Sequence, residues 1–198
     1  MATNPNSFLT RENARLKDEN DTLRDEVNLL REFVRVLDEL GEEAARVTDD
    51  SELLPLLRDI LLKALTLLDA PDGSLALIDE NTNELVFVIV IGTLADQLTD
   101  YRIPADEGIA GWAISSREAA LVRDVRYDTR FFANIDSQFK FNTQSILAAP
   151  LVGDDKVYGV VEALNQPGDQ PFSDNDMALL KLFCRFAGEV LADIERRK

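Results

Sequence analysis

The chain predicts an α+β domain, an antiparallel sheet with its helices segregated on one face, preceded by an N-terminal coiled-coil helix. Three observations carry this. A leucine recurs every seventh residue at Leu9, Leu16, Leu23, Leu30 and Leu37. Between residues 74 and 165 the apolar residues fall into short runs separated by turn-forming residues, several spaced as hairpins. Amphipathic helical patterns lie on both sides of that stretch, and hairpin strands between helices indicate α+β rather than α/β architecture.

The first element is the heptad. With leucine at d, the a positions are Asn13, Asn20, Val27 and Val34. Leu at d with β-branched residues at a favours two parallel strands, and a buried asparagine at a fixes register at a cost in stability. Glu12, Glu19 and Glu26 fall at g, and Lys17, Arg24 and Arg31 fall at the following e positions. In a parallel homodimer each g glutamate therefore faces a base on the other chain. The expected interface comprises Leu9, Asn13, Leu16, Asn20, Leu23, Val27, Leu30, Val34 and Leu37. Residues 1–8 are expected to be a disordered tail and residues 9–48 the coiled coil. The heptad weakens after Leu37, where the next a position is Gly41. Apolar spacing continues there on a rotated, wider face through Phe33, Leu40, Ala44 and Val47, as a helix entering a bundle requires.

A polar break, Thr48-Asp49-Asp50-Ser51, supplies an N-cap for the next helix, which runs to residue 70 with Pro55 near its start. The domain proper is expected over residues 49–198. SLALID (74–79) and LVFVIVI (85–91) read as a hairpin, LTDYRIP (98–104) as a third strand, and EGIAGWAISS (107–116) as a short helix. AALVRDV (119–125) is a further strand. Residues 126–143 carry Phe131, Phe132, Phe139 and Phe141 without a clean period. QSILAAPLV (144–152) and VYGVVEALN (157–165) flank Gly153-Asp154-Asp155-Lys156, a hairpin turn. Ser173 or Asp174 caps a last helix from residue 175 to about 196, striped by Leu179, Phe183, Phe186, Ala187, Val190 and Ile194.

Composition removes several function classes. The formal charge is −16, from 21 Lys and Arg against 37 Asp and Glu, which denies nucleic acid its usual electrostatic attraction. Residues 1–10 hold no basic block, so a basic-zipper reading fails on charge. No basic start with an apolar stretch marks a signal peptide, and the clearest apolar run, 85–91, is far short of a membrane span. A cytoplasmic protein without membrane or nucleic-acid partners is expected. The one cysteine, Cys184, forbids an intramolecular disulfide and a thiolate zinc site. The sequence has no histidine, which removes Ser-His-Asp and Cys-His catalysis, His-ligated haem and metals, and histidine phosphorelay. Asp49/Asp50 and Asp154/Asp155 read as turns rather than acid–base pairs. No enzyme activity, metal or cofactor is expected.

Taken together and in order, EGIAGWAI, LVRDVRYDTRF, SILAAPLV, VYGVVEALN and PFSDNDMALLKLF resemble the GAF family of sensory domains over roughly residues 50–195. The resemblance implies a sheet of about six antiparallel strands between helices. It also implies a small-molecule pocket on the face opposite the terminal helices, and dimerisation through those helices, the last one included. Gly108 and Gly111 then permit tight geometry at a helix entry. Trp112 either roofs the pocket or fills the core, and Asp124 either contributes to the site or caps a turn. The four phenylalanines of 126–143 either stack a planar ligand or anchor their own segment as a lid. Thr143 and Ser145 offer hydroxyls where a strand begins, and Glu162 faces either the pocket or solvent. Cyclic-nucleotide-binding members carry Asn-Lys, a spacer, Phe and Asp-Glu. Here Asn165-Gln166, Phe172 and Asp176-Met177 stand in those places, without the lysine or the glutamate. Bilin-binding and sulfoxide-reducing members use loop cysteines, whereas Cys184 falls on the last helix. The expected function is a dimeric regulatory protein that senses a small molecule or signals to a protein partner. The alternative is a ligand-free scaffold that serves dimerisation.

Overall fold

The structure, a computed structural model, describes residues 5–47 and 50–197. The chain divides into two units, residues 1–42 and 43–198.

The first unit is one long helix. Helix α1 spans Pro5–Ala44, running through Gly41 without a break. It begins inside the expected tail; residues 1–4 of that tail lie outside the described residues. Leu9, Leu16, Leu23, Val27, Leu30 and Val34 are exposed on the chain, Leu30 at 59% and Val34 at 55%. Asn13 and Asn20 are exposed as well, and Leu37 is half-buried. Arg15 bridges Glu12 at 2.7 Å and Glu19 at 3.2 Å along the helix. Such exposed pairs at helical spacing add only a few tenths of a kcal/mol each.

The second unit is a six-stranded, wholly antiparallel sheet in the order β3-β2-β1-β6-β5-β4. Helix α2 (Asp50–Leu67) leads into β1 (Asp72–Asp79) and β2 (Glu84–Ile91). Its expected cap residues Thr48 and Asp49 lie outside the described residues. The run read as a third strand, 98–104, does hold one, but only over Arg102–Pro104 (β3); Leu98 ends a short helix, α3 (Ala95–Leu98), and a turn joins the two. Asp100, at φ 66, makes that turn. Then follow α4 (Gly108–Ser116), β4 (Ala120–Val122), α5 (Asn134–Phe139), β5 (Ile146–Gly153), β6 (Lys156–Leu164) and α6 (Asp174–Arg196). Between β5 and β6, Asp154 and Asp155 both take positive φ, the backbone a type I′ hairpin turn demands. Ser173 starts α6 with a capping box: its hydroxyl accepts from Asp176 N–H at 3.2 Å, and the Asp176 carboxylate accepts from Ser173 N–H at 2.7 Å.

Helices α2 and α6 pack on one face of the sheet. Gly73 and Gly188 show how closely. A Cβ on Gly73 would lie 2.5 Å from Leu65 of α2, and one on Gly188 of α6 would lie 2.2 Å from the Val152 carbonyl oxygen of β5. The expected six-stranded antiparallel sheet flanked by helices is what the structure shows, and the finer reading that the helices are segregated on one face is corrected by the opposite side. There α4, and with it α3 and α5, both too short to show a helical period, cover a second apolar core built on Phe87, Val90, Ile109, Ile146 and Val160. Among the described residues no helix is long and apolar enough to cross a membrane. No group of three acidic or cysteine side chains among them converges to hold a metal ion.

Candidate functional site

The site begins with strand register. Ser74 of β1 pairs with Val90 of β2 and with Glu162 of β6, and Glu162 pairs with Ala148 of β5. Residues opposite each other across antiparallel strands point to the same face. Ser74 and Glu162 are therefore a polar pair set in an apolar row, on the face away from α2 and α6.

A cavity opens over this row. It encloses about 70 Å³ of space for the centres of water-sized molecules, room for about five such bodies. Its floor is the sheet, including Ser74, Phe87, Val90 and Glu162; its walls are α3, through Leu94 and Leu98, and the first turn of α4. Its lid is the segment from Phe131 to Thr143. Gly108 enters α4 at φ +72, and a Cβ there would press on Phe132 at 3.2 Å. Gly111 has no room for a side chain, because its Cβ would lie 2.3 Å from the Asp106 carbonyl carbon. Gly108 lets the start of α4 meet the lid at the cavity mouth, and Gly111 lets α4 close onto the turn before it.

The lid and the turns that lead into it are held by side-chain bonds to backbone N–H groups and to other side chains. Asp124 caps a short 3-10 turn by accepting from Arg126 N–H at 3.0 Å, and clasps the Arg126 guanidinium at 2.9 and 2.6 Å. Asp128 repeats the device with Arg130 at 2.9, 2.9 and 2.6 Å. In both cases the guanidinium bond holds the carboxyl below its ordinary range. Arg130 then lies 4.2 Å over the Trp112 ring. In α5, Asp136 accepts from Thr143 N–H at 2.8 Å and from the Thr143 hydroxyl at 2.7 Å, which fastens the lid to the start of β5. Tyr101 secures its other edge, donating to Gln138 at 2.8 Å and meeting Phe139 edge-on at 5.4 Å.

The residues singled out from the sequence therefore separate. Phe131, Phe132, Phe141, Thr143 and Glu162 line the cavity. Trp112 lies off it under Arg130, Asp124 serves its turn, and Phe139 packs on Tyr101. Ser145 is buried at a bend where its N–H reaches Asn165 Oδ1 at 3.3 Å. Asn165 also accepts from Gln144 N–H at 2.7 Å, Gln166 donates to the Leu68 carbonyl at 2.8 Å, and Phe172 is fully buried. Those positions hold the fold together. Cys184 is buried in α6, and burial pushes its thiol far up. The sequence reading missed Asp72, Ser74, Glu107 and Asp136, all of which line the cavity. The repeated Asp-x-Arg spacing at 124–126 and 128–130 was a legible sign that this segment is ordered.

The electrostatics of the cavity centre on Glu162. Among the described residues its one hydrogen-bond partner is the Ser74 hydroxyl, which donates at a long 3.4 Å. Burial pushes its carboxyl up to about 7, against the weak opposing pull of Ser74. Asp72 is occupied by Thr93 N–H at 2.5 Å, and Asp136 by Thr143. No lysine or arginine lies among the described lining residues.

Comparison with known proteins fits this architecture. The GAF domain family model matches residues 52–191. The dual 3',5'-cyclic-AMP and -GMP phosphodiesterase 11A of Takifugu rubripes is 24% identical over 159 residues, 75% of this chain and 18% of that protein. The chain spans 10–18% of the length of the first curated relatives it matches. Among solved structures, the GAF domain from a phosphoenolpyruvate-protein phosphotransferase of Coxiella burnetii aligns with a TM-score of 0.72 at 15% identity, covering 84% of this chain and 96% of that one. Residues 122 to 287 of a methyl-accepting chemotaxis protein align with a TM-score of 0.69 at 20% identity, covering 80% and 98%. At such identities these likenesses concern the fold.

Proposed function

Since the chain belongs to the GAF domain family, a family of regulatory and sensory modules, we propose that it is a non-catalytic sensor whose cavity over β1 and β6 binds a small molecule. The observation that carries the reading is a walled cavity with an under-bonded carboxylate, Glu162, on its floor. Apolar walls with a few convergent polar groups are what small-molecule sites consist of. The module works as a parallel homodimer in the cytoplasm, where its lone thiol stays reduced. The exposed stripe from Leu9 to Val34 supports the dimer, since a stripe of leucine and valine on a polar helix is stable when a second helix covers it. Ligand binding biases the signal passed to a protein partner only as far as the ligand prefers one state of the dimer over another.

Two measurements test this. Sedimentation equilibrium of the chain should return twice its 22.1 kDa mass; a monomer at micromolar concentration sinks the dimer. A thermal-shift screen with metabolites and nucleotides should yield a stabilising compound whose effect disappears when Ser74→Phe fills the cavity. Stabilisation by no compound favours the ligand-free scaffold instead.

A further inference from the structure

The cavity's chemistry narrows its ligand, on the premise that it binds one at all. Four carboxylate side chains line it, on Asp72 of β1, Glu107 before α4, Asp136 of α5 and Glu162 of β6. Two of them, Asp72 and Asp136, are bonded to backbone N–H groups or a hydroxyl at 2.5–2.8 Å. Glu107 makes no side-chain cap bond to α4, and Glu162, deeper on the sheet, has one hydroxyl at 3.4 Å, a loose bond for a carboxylate, which ordinarily draws oxygen donors to under 2.8 Å. The first turn of α4 contributes N–H groups and a partial charge of about +0.5, with the Glu107 carboxylate at its cap. The lining as a whole stays negative, and an anionic ligand would have no cation to meet.

We propose that the cavity is a site for a small organic cation, an alkylammonium of about five heavy atoms in all, whose N–H donors seat on Glu162 and Ser74. The size follows from the space available. Once Glu162 is ionised, the cost of holding its carboxylate out of water is already met by the fold, so an arriving ammonium gains the attraction while bearing only its own dehydration. The apolar body lies against Val90, Leu94 and Phe141.

The test is an NMR titration of the full chain with three probes that share an isopropyl group and are of similar size: isobutylammonium, isobutanol and isobutyrate. Isobutylammonium should shift the Ser74 and Glu162 amides saturably in the millimolar range, with affinity at least tenfold above isobutanol, and isobutyrate should leave them unmoved. Because Glu162 must ionise to pair, and its carboxyl lies at about 7, affinity should rise about tenfold per pH unit below 7 and level off above it. Glu162→Gln, which keeps the shape of the side chain, should abolish both the preference and the pH dependence. Ser74→Ala should weaken binding a few-fold while the pH dependence stays. Equal binding of alcohol and ammonium, or preference for isobutyrate, overturns the cation assignment and leaves the ligand-binding reading standing. No shift from any of the three also overturns the cation assignment, and the ligand-binding reading then stands or falls by the thermal-shift screen.

Discussion

Glu162 gives the sharpest physical prediction. A carboxyl that titrates at 4.5 when solvated titrates at about 7 in the folded domain. Below 4.5 it is protonated in both states and costs nothing. Between the two values the folded state holds a proton that the unfolded state has released, so stability falls as pH rises. Above 7 the group is ionised in both states and the penalty is complete, at about 3 kcal/mol, since each tenfold change in proton affinity is worth about 1.36 kcal/mol. Between pH 5 and pH 8 the penalty grows by about 2.5 kcal/mol on the same arithmetic. Other groups titrate over this window, so the informative quantity is the difference between the natural chain and Glu162→Gln. Urea unfolding at pH 5, 6, 7 and 8, at fixed chain concentration and ionic strength, measures it. The variant should gain on the natural chain steadily up to pH 7 and then run parallel to it. A difference that stays constant from pH 5 to 8 would show Glu162 titrating as a solvated carboxyl, and the burial argued for it would be refuted.

Other consequences follow from the same geometry. Thr143→Val removes the hydroxyl bond to the Asp136 carboxylate and should cost about 1.5–3 kcal/mol, the worth of a hydrogen bond to a charged group, with faster amide exchange confined to residues 131–143; exchange that accelerates evenly across the sheet would argue against a lid. Gly188→Ala drives a Cβ to 2.2 Å from the Val152 carbonyl oxygen, and should destabilise the domain by about 1–3 kcal/mol in thermal unfolding; an unchanged melting temperature would mean that α6 stands further from β5. Replacing Asn13 and Asn20 together by valine should stabilise the stalk by roughly 1.5 kcal/mol per newly buried side chain and broaden the oligomer distribution in sedimentation. A double variant that remains strictly dimeric and gains nothing would remove those asparagines from the seam.

How far the sequence discloses this molecule depends on whether a residue's role is set by its neighbours in the chain. The hairpin at Asp154-Asp155, the capped start of α6 and the long helix α1 are local events, and local residue types announce them. The lid was harder. Its α5 is six residues long, too short for a 3.6-residue period to register against four phenylalanines, and its order comes from Asp136 reaching Thr143 seven residues on.

Glu162 was undecidable for a different reason. In an antiparallel strand with one wet face, alternation separates inside from outside. In β6 both faces are covered, so Val161 and Ala163 toward α6 and Val160 and Leu164 toward the cavity leave alternation nothing to distinguish. What settles the direction of Glu162 is its pairing with Ser74, 88 residues earlier, in a register fixed by the whole sheet. Once that register is known, Glu162 faces the cavity. A carboxylate in the middle of a strand covered on both sides costs the fold stability, and under the proposal made above a bound cation would recover that cost by returning to Glu162 the partner that folding removes.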